Sequence, residues 1–521
     1  MSQSLDGLHF SLDPITQKSS SAVVGKAILA EALALIDHHT AQQVLEEKNW
    51  RKNYPQYFKS LVEHGIRSTQ DTISIAKQGL HKAHHSFDFY RHGQRYLLKD
   101  VMDIAAIEKL YSIKITGQSQ QAPEWYIPYH GQKLTGQALS QQLDAWTEQG
   151  IIEPSHAQAL KHVQAHPEWL DLSQRTMVLF GAGSEAGPLQ WLAKWKANII
   201  AIDLPNPKVW EKIITTVRDG NATLYAPCLE DLPADMPLDQ IQAKVGANLL
   251  TQIPEIAHWL AQHPQQLDLA AIAYLDGEKH VRVSMAMDSI MSYISTEKPD
   301  SSLMYMCTPT DVYAVSQDTI HASTCKYQQR SALEKVISKG VSTLSMKNFF
   351  KRNNQQLIQA DNDKCYGISD CIVVEQGPNY ALAKRLQQWR ATLSRHQGQQ
   401  VSINIAPSTT TRSVTKNPLL KAAFSGAKLF DVEAFEPETT NAIMAALWVH
   451  DLCHPHALAN PSNTLEHPLE LMMDGANHGG LWHVGYLART ALPFAALYGF
   501  AAEKVPVKKL WSKLKSKATP K

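Results

Sequence analysis

One stretch limits what this chain can fold into more than any other: Thr176 to Asp203, reading TMVLFGAGSEAGPLQWLAKWKANIIAID. The apolar run Met177–Phe180 leads into Gly181-Ala-Gly183. A helical pattern then carries Leu189, Leu192 and Trp195 on one face, and a second apolar run, Ile199–Ile202, ends on Asp203. The expected order is strand, glycine turn, helix, strand. Gly181 permits a tight turn, and Gly183, beside Ser184, lets a backbone approach a pyrophosphate. The small Ala186 and Gly187 allow helix and strand to pack closely. Phosphates would sit on the amides at the helix N-terminus, where unpaired N–H groups favour negative charge. Asp203 lies about twenty residues on, where a carboxylate can bind both hydroxyls of an adenosine ribose. The same stretch also suits an ordinary strand-to-helix turn of another α/β fold, or a methyltransferase whose acidic residue binds a different ribose.

The 521 residues suggest two or three domains, with ample surface to bury. A net charge of +1, with 19 % charged and 44 % apolar residues, gives no general reason to expect nucleic acid as a partner. Six single cysteines, at positions 228, 307, 325, 365, 371 and 453, form no paired framework, so a reducing, cytoplasmic setting is expected. The N-terminus has no basic region ahead of an apolar core, which argues against a secretory signal. The nearest approach to a membrane span, near the C-terminus, contains Arg489 and Pro493.

Residues 1–173 read as a mainly helical extension. AVVGKAILAEALALIDHH, LKDVMDIAAIEKLYSI and ALSQQLDAWTEQGII each carry an apolar stripe at helical spacing. Within this extension His81 and His85 would share a helical face, with His84 and His92 nearby, but no further ligand follows at a recognisable spacing, and no metal site is expected. Trp125, Tyr126 and Tyr129 read as packing anchors. After Asp203, ATLYAP, DLAAIAYL and SLMYMCT are runs of strand length, separated by the helical patterns LLTQIPEIAHWLAQH and HVRVSMAMDSIMSYI. Alternating strands and helices imply a mainly parallel sheet covered on both faces. Residues from about 318 to 367 lose this pattern and read as an insertion beside the sheet, at the end where ligands bind.

Tyr380 and Lys384, in GPNYALAKRLQQW, lie four residues apart and share a helical face. A phenol is protonated near neutrality, and a neighbouring ammonium favours its ionised form, making a usable general acid/base. Next come VSINIAPSTTT, a strand ending at Pro407, a helix start at Pro437-Glu438, and LELMMDGANHGG, which reads as a strand ahead of Asp474-Gly475.

In this order the motifs resemble the short-chain dehydrogenase/reductase family, from about residue 175 to 485. The residues that carry the resemblance are Gly181, Gly183 and Gly187, the Tyr380–Lys384 pair, Asn404 to Pro407, the helix after Pro437, and Asp474-Gly475. The resemblance implies a Rossmann-type doubly wound parallel sheet over residues 174–483 and an NAD(P)-dependent oxidation or reduction at a carbonyl or alcohol carbon. Tyr380 would be the general acid/base, Lys384 its activator and a ligand of the nicotinamide ribose. Thr308, or Thr310, would stand for the catalytic serine. Gly181, Gly183, Ser184, Gly187, Asp203, Lys384, Pro407 and Thr409 would hold the cofactor, with NAD favoured over NADP because Asp203 repels a 2′-phosphate. The chain departs from the family pattern at Glu185, where a glycine is usual, at AYLDGEKH, which lacks the asparagine-alanine-glycine, and in the helix HVRVSMAMDSIMSYI, which lacks the relay asparagine. The alternative is a non-catalytic protein of the same fold that binds a dinucleotide for structure or sensing.

Near the end, His450, Asp451, Cys453, His454 and His456 fall within a few residues and read as a loop that happens to hold imidazoles; His478 and His483 would approach the substrate end. Residues 484–521 read as a tail, apolar and then rich in lysine. Such a tail suits subunit packing in a homo-oligomer or the surface of an anionic membrane. The expected partner is a small, conceivably lipid-like molecule.

Overall fold

The computed structural model describes residues 6–13, 16–104, 108–353, 356–416 and 418–504. At its centre seven strands form one sheet: β1 (Tyr111–Thr116), β2 (Thr176–Phe180), β3 (Asn198–Ile202), β4 (Thr223–Cys228), β5 (Asp268–Ala271), β6 (Ser302–Cys307) and β7 (Val401–Ile405). Their spatial order is β7-β6-β5-β2-β3-β4-β1. All neighbours run parallel except β1, which pairs antiparallel with β4 at one edge. The chain is therefore a mixed α/β structure with a mostly parallel sheet flanked by helices.

Such a sheet must bury both faces. The alternation of side chains does this: Val178, Phe180, Ile200 and Ile202 join one core, while Met177, Leu179, Ile199 and Ala201 join the other. The first core is closed by the helices Ser21–Ala34, Trp50–Arg67, Thr69–His84, Glu278–Glu297 (α2) and Pro378–His396 (α3), the second by Pro154–Ala165 (α1), Pro207–Arg218 and Pro437–Cys453 (α4). Fully burying one side chain such as Phe180 contributes about 1.5–3 kcal/mol. The N-terminal helices pack closely on α3: a Cβ on Gly79 would lie within 2.3 Å of the Trp389 ring. After β4 the chain returns past β2 and starts β5 on its other side. The strand order reverses there, and the loops leaving β2 and β5 pass side by side at the carboxyl ends of the strands.

Four elements differ from the sequence expectation. The helix after the glycine turn is a single turn, Leu189–Leu192. The Ala193 carbonyl accepts the amides of Asn221 and Ala222, and Lys196 takes φ 56°, so the helical ladder stops where the apolar pattern continues. LKDVMDIAAIEKLYSI is a 3-10 turn, Leu98–Asp103, followed by β1, so the extension contributes an edge strand to the central sheet. LELMMDGANHGG contains a 3-10 turn, Pro468–Met472, and no strand of the described residues follows β7. Pro468 has no amide to give a ladder, and the His467 side chain caps the turn instead. Residues from 484 do not begin a tail: Val484, Tyr486 and Ala491 are buried, and the helix Ala488–Lys504 packs on Pro418–Gly426, with a Cβ on Gly426 falling 1.8 Å from the Ala495 carbonyl oxygen. The lysine-rich segment 505–521 lies outside the described residues. No described helix is long and apolar enough to cross a membrane.

The insertion is ordered as a small unit. Strands Val312–Ser316, Leu357–Gln359 and Cys365–Asp370 form an antiparallel sheet beside the helices Gln317–Gln328 and Ala332–Leu344.

Candidate active site

Two groups of side chains stand at the carboxyl ends of the parallel strands. The first surrounds the glycine turn. Gly181 takes φ 91°, and a Cβ there would lie 2.6 Å from Ala273 Cα in the loop after β5, so only glycine lets the two loops pass. Gly183 donates its amide to Asp203 Oδ2 at 2.8 Å, and Leu204 donates to Asp203 Oδ1 at 2.8 Å. Burial raises the Asp203 carboxyl above its ordinary range, against the pull of these two amides. Several other amides of the turn are engaged internally: Gly181 and Ala182 with the Ile202 carbonyl, Ser184 with that of Gly181, and Gly187 with that of Ser184. The helix behind the turn is a single turn, shorter than the sequence pattern suggests. Glu185 turns toward the loop after β7, where its carboxylate accepts from Arg412 Nε at 2.8 Å and from the Arg412 amide at 3.0 Å.

The second group is built on α3, which starts after Gly377 in a positive-φ conformation and carries Tyr380 and Lys384 one turn apart. The Thr308 hydroxyl, just past β6, lies 2.8 Å from the Thr310 hydroxyl, to which Gln376 Nε2 donates at 2.6 Å. The Tyr313 hydroxyl donates to the Thr308 carbonyl at 2.6 Å and fixes the turn. Burial pushes the Tyr380 phenol up to about 12; the nearby Thr308 hydroxyl pulls the other way, and the carboxylate of Asp311 and thiol of Cys307 add to the rise. The expected lowering by Lys384 does not dominate. The Lys384 ammonium points to the Met306 carbonyl at 2.9 Å and to Gln387 Oε1 at 3.3 Å, and burial lowers its own pKa.

His280, in the first turn of α2, stacks on the Tyr380 ring with centroids 5.4 Å apart. It is 2 % exposed and neither ring nitrogen has a hydrogen-bond partner among the described residues. Burial, helped by the charge of Lys384, holds it neutral, with a pKa well below the ordinary value. This residue escaped the sequence reading, which searched its helix for an asparagine. The signal was a histidine opening that helix. Tyr274, Leu275, His280, Gln376, Asn379 and Tyr380 line a cavity of about 560 Å³, with the exposed cations Lys48, Arg51 and Lys52 on another side.

Pro407 and Thr409 follow β7, next to the end of β6, where the Ala406 amide donates to the Cys307 carbonyl at 3.0 Å. The Thr409 hydroxyl donates to the Pro407 carbonyl at 2.8 Å and lies 2.7 Å from the Thr440 hydroxyl. The structure thus brings Thr308, Tyr380 and Lys384 together, and separately Gly181, Gly183, Ser184, Gly187 and Asp203. None of the glycine-turn residues, nor Pro407 or Thr409, lines the Tyr380 cavity.

The other histidines sort differently from the sequence expectation. His478 and His483 approach Glu153, at 3.0 and 3.4 Å, and not Tyr380. His81 and His85 share a helical face, ring centroids 4.3 Å apart, while His84 pairs with Asp288 at 2.6 Å. Trp125, Tyr126 and Tyr129 pack on Ala442, Trp191 and Trp146.

No family model and no curated protein matches the chain. Among solved structures, the terminal R domain from the myxalamid PKS-NRPS biosynthetic pathway is similar over 58% of this chain and 67% of that chain, at 11% sequence identity and a TM-score of 0.28.

Proposed function

We propose that this chain is an NAD(P)-dependent oxidoreductase of short-chain dehydrogenase/reductase type, with a Rossmann-type sheet, acting on a carbonyl or alcohol carbon in the cavity beside Tyr380. The observation that carries this reading is the Tyr380–Lys384 pair one turn apart on α3, with His280 stacked on the phenol ring and Thr308 just past the end of β6. The position of Thr308 just past β6 and of the glycine turn just past β2, both at the carboxyl ends of parallel strands, supports this reading.

The residues present fit a dinucleotide unequally along its length. At the ribose they fit: Asp203 offers acceptors beside Gly183, where a Cβ would come within 3.2 Å of Asp203 Oδ2 and 3.0 Å of Val209 Cγ1. At the reacting end Thr308, Tyr380 and Lys384 supply the proton chemistry. At the pyrophosphate the turn backs onto a helix of a single turn, and Arg412, paired with Glu185, is a cation at hand. When bound, a nicotinamide supplies or takes the hydride. Tyr380 supplies the proton: in reduction the carbonyl carbon gains a hydride, its oxygen gains the phenolic proton, and the phenolate is reprotonated from solvent. Thr308 steadies the phenol and Lys384 stabilises the charge left behind. Lys48, Arg51 and Lys52 suit a substrate with an acidic group.

The second reading, a dinucleotide-binding protein without turnover, draws on one observation: the Lys384 ammonium is directed to the Met306 carbonyl. Fluorescence titration with NADH and NADPH, followed by turnover assays on carbonyl substrates with Tyr380→Phe as control, separates the two. Absence of binding to either nucleotide overturns both.

A further inference from the structure

At the opposite end of the sheet, three imidazoles from distant parts of the chain meet. His162 lies in the last turn of α1, His450 in the last turn of α4, and His454 caps α4. Ring centroids are 4.5 Å apart for His162 and His454, 4.8 Å for His450 and His454, and 5.7 Å for His162 and His450. One ligand nitrogen from each lies within 4.8 Å of the others. From these residues we infer a divalent transition-metal site, best suited to zinc, held by His162, His450 and His454.

Imidazole nitrogens bind zinc at about 2.0–2.1 Å in tetrahedral array, which sets nitrogens about 3.4 Å apart. The surroundings supply what a ligating histidine needs. His450 directs Nδ1 to Asp451 Oδ1 at 3.2 Å, leaving Nε2 for a metal. Asp451 is itself fixed, its Oδ2 accepting from Ser402 Oγ and Asn404 Nδ2, both at 2.7 Å. His162 Nδ1 is buried with no partner among the described residues, a cost that a metal bond or its second-shell partner would remove. Three protein ligands leave a fourth position for water.

The second cluster, Glu153 with His478 and His483, contrasts with this one. There the Gly480 amide donates to His478 Nδ1 at 3.1 Å, so His478 Nε2 carries the proton and donates it to Glu153. That ring has no lone pair to offer.

The site's position gives it a structural role. Arg175, just ahead of β2, donates to the Leu452 carbonyl at 3.2 Å, and Gln400, just ahead of β7, donates to that of Asp451 at 2.7 Å. The three histidines therefore sit at the amino-terminal ends of the strands, away from Tyr380, and the metal clamps α4 to α1. The inference does not depend on the redox reading.

The test is zinc loading of the full chain after chelator treatment, read by elemental analysis, melting temperature and the visible spectrum of a cobalt(II) replacement. One zinc per chain surviving gel filtration, a melting temperature raised by several degrees, and a tetrahedral nitrogen-type cobalt spectrum are expected. His162→Gln and His454→Gln should each weaken zinc at least about tenfold, and Asp451→Asn by about tenfold, whereas His483→Gln should bind as the parent does. No retained zinc, an octahedral cobalt spectrum in the parent, or equal binding in His162→Gln and His454→Gln overturns the site.

Discussion

The Arg412 guanidinium pairs with Glu185 at 2.8 Å, joining the loop after the last parallel strand to the glycine turn. The Arg412 side chain is 87% exposed, so the pair adds little to stability. Under the proposed dinucleotide reading its importance lies in charge: the Glu185 carboxylate would stand near the pyrophosphate, partly offset by Arg412. Glu185→Gln should tighten NADH binding about two- to fivefold and Arg412→Ala should weaken it by a similar factor, each charge being worth about 0.5–1 kcal/mol at such a site. Both variants should stay within about 0.5 kcal/mol of the parent in urea unfolding. Equal affinities in all three proteins would remove the glycine turn from cofactor binding.

Tyr380 titrates in the wrong place for a base at neutral pH. With its phenol pushed up to about 12, the proton stays on through the physiological range. Reduction, which needs the proton, should therefore show no decline from Tyr380 between about pH 6 and 10. Oxidation, which needs the phenolate, should climb about tenfold per pH unit over the same range. Tyr380→Phe should lower kcat by about 10²–10⁴ while leaving NADH affinity within about twofold. A full-rate phenylalanine variant would leave the proton with another donor.

Asp288 and Arg390 tie α2 to α3, the helices that carry His280 and Tyr380. The Asp288 carboxylate meets Arg390 Nε at 2.7 Å and His84 at 2.6 Å, and its side chain is only 7% exposed. Despite the cost of burial, these partners hold its pKa well below the usual carboxylate value. The sign follows: the stability it supplies is complete above the ordinary carboxylate range and fades as pH falls below about 4 toward the folded value. Asp288→Ala should cost about 3–5 kcal/mol, mostly from leaving Arg390 buried without its partner. The double variant with Arg390→Ala should cost less than the sum, measured by urea unfolding at pH 7.

Much of the sheet was legible in the sequence because its strands are buried on both faces and so read as unbroken apolar runs, as in Met177–Phe180 and Ile199–Ile202. The Tyr380–Lys384 pair was legible from helical spacing alone. What failed did so where long-range bonds override local pattern. Residues 189–195 have a helical stripe, yet Ala193 gives its carbonyl to Asn221 and Ala222. Lys384 was expected to serve Tyr380, but a carbonyl on β6, remote in sequence, takes its ammonium. The meeting of His162 with His450 and His454 was invisible for the same reason, since periodicity says nothing of which helices become neighbours.

His280 offers the sharpest separation of stability from function. A neutral imidazole sealed against the Tyr380 ring with two unpartnered nitrogens costs folding free energy, about 1–3 kcal/mol for each polar atom left unsatisfied. Phenylalanine keeps the ring and the stacking but removes both nitrogens. If the protein retains His280 only for packing, His280→Phe should be more stable and equally active. If the imidazole takes part in catalysis once substrate fills the cavity that His280 lines, the variant should gain about 1–3 kcal/mol in stability while kcat/KM falls about 10- to 100-fold. The second outcome is expected, because His280 lines the same cavity as Tyr380 and stacks on its ring. Urea unfolding and steady-state kinetics on the same two proteins decide it, and a variant that is both stabler and fully active would assign the imidazole to packing.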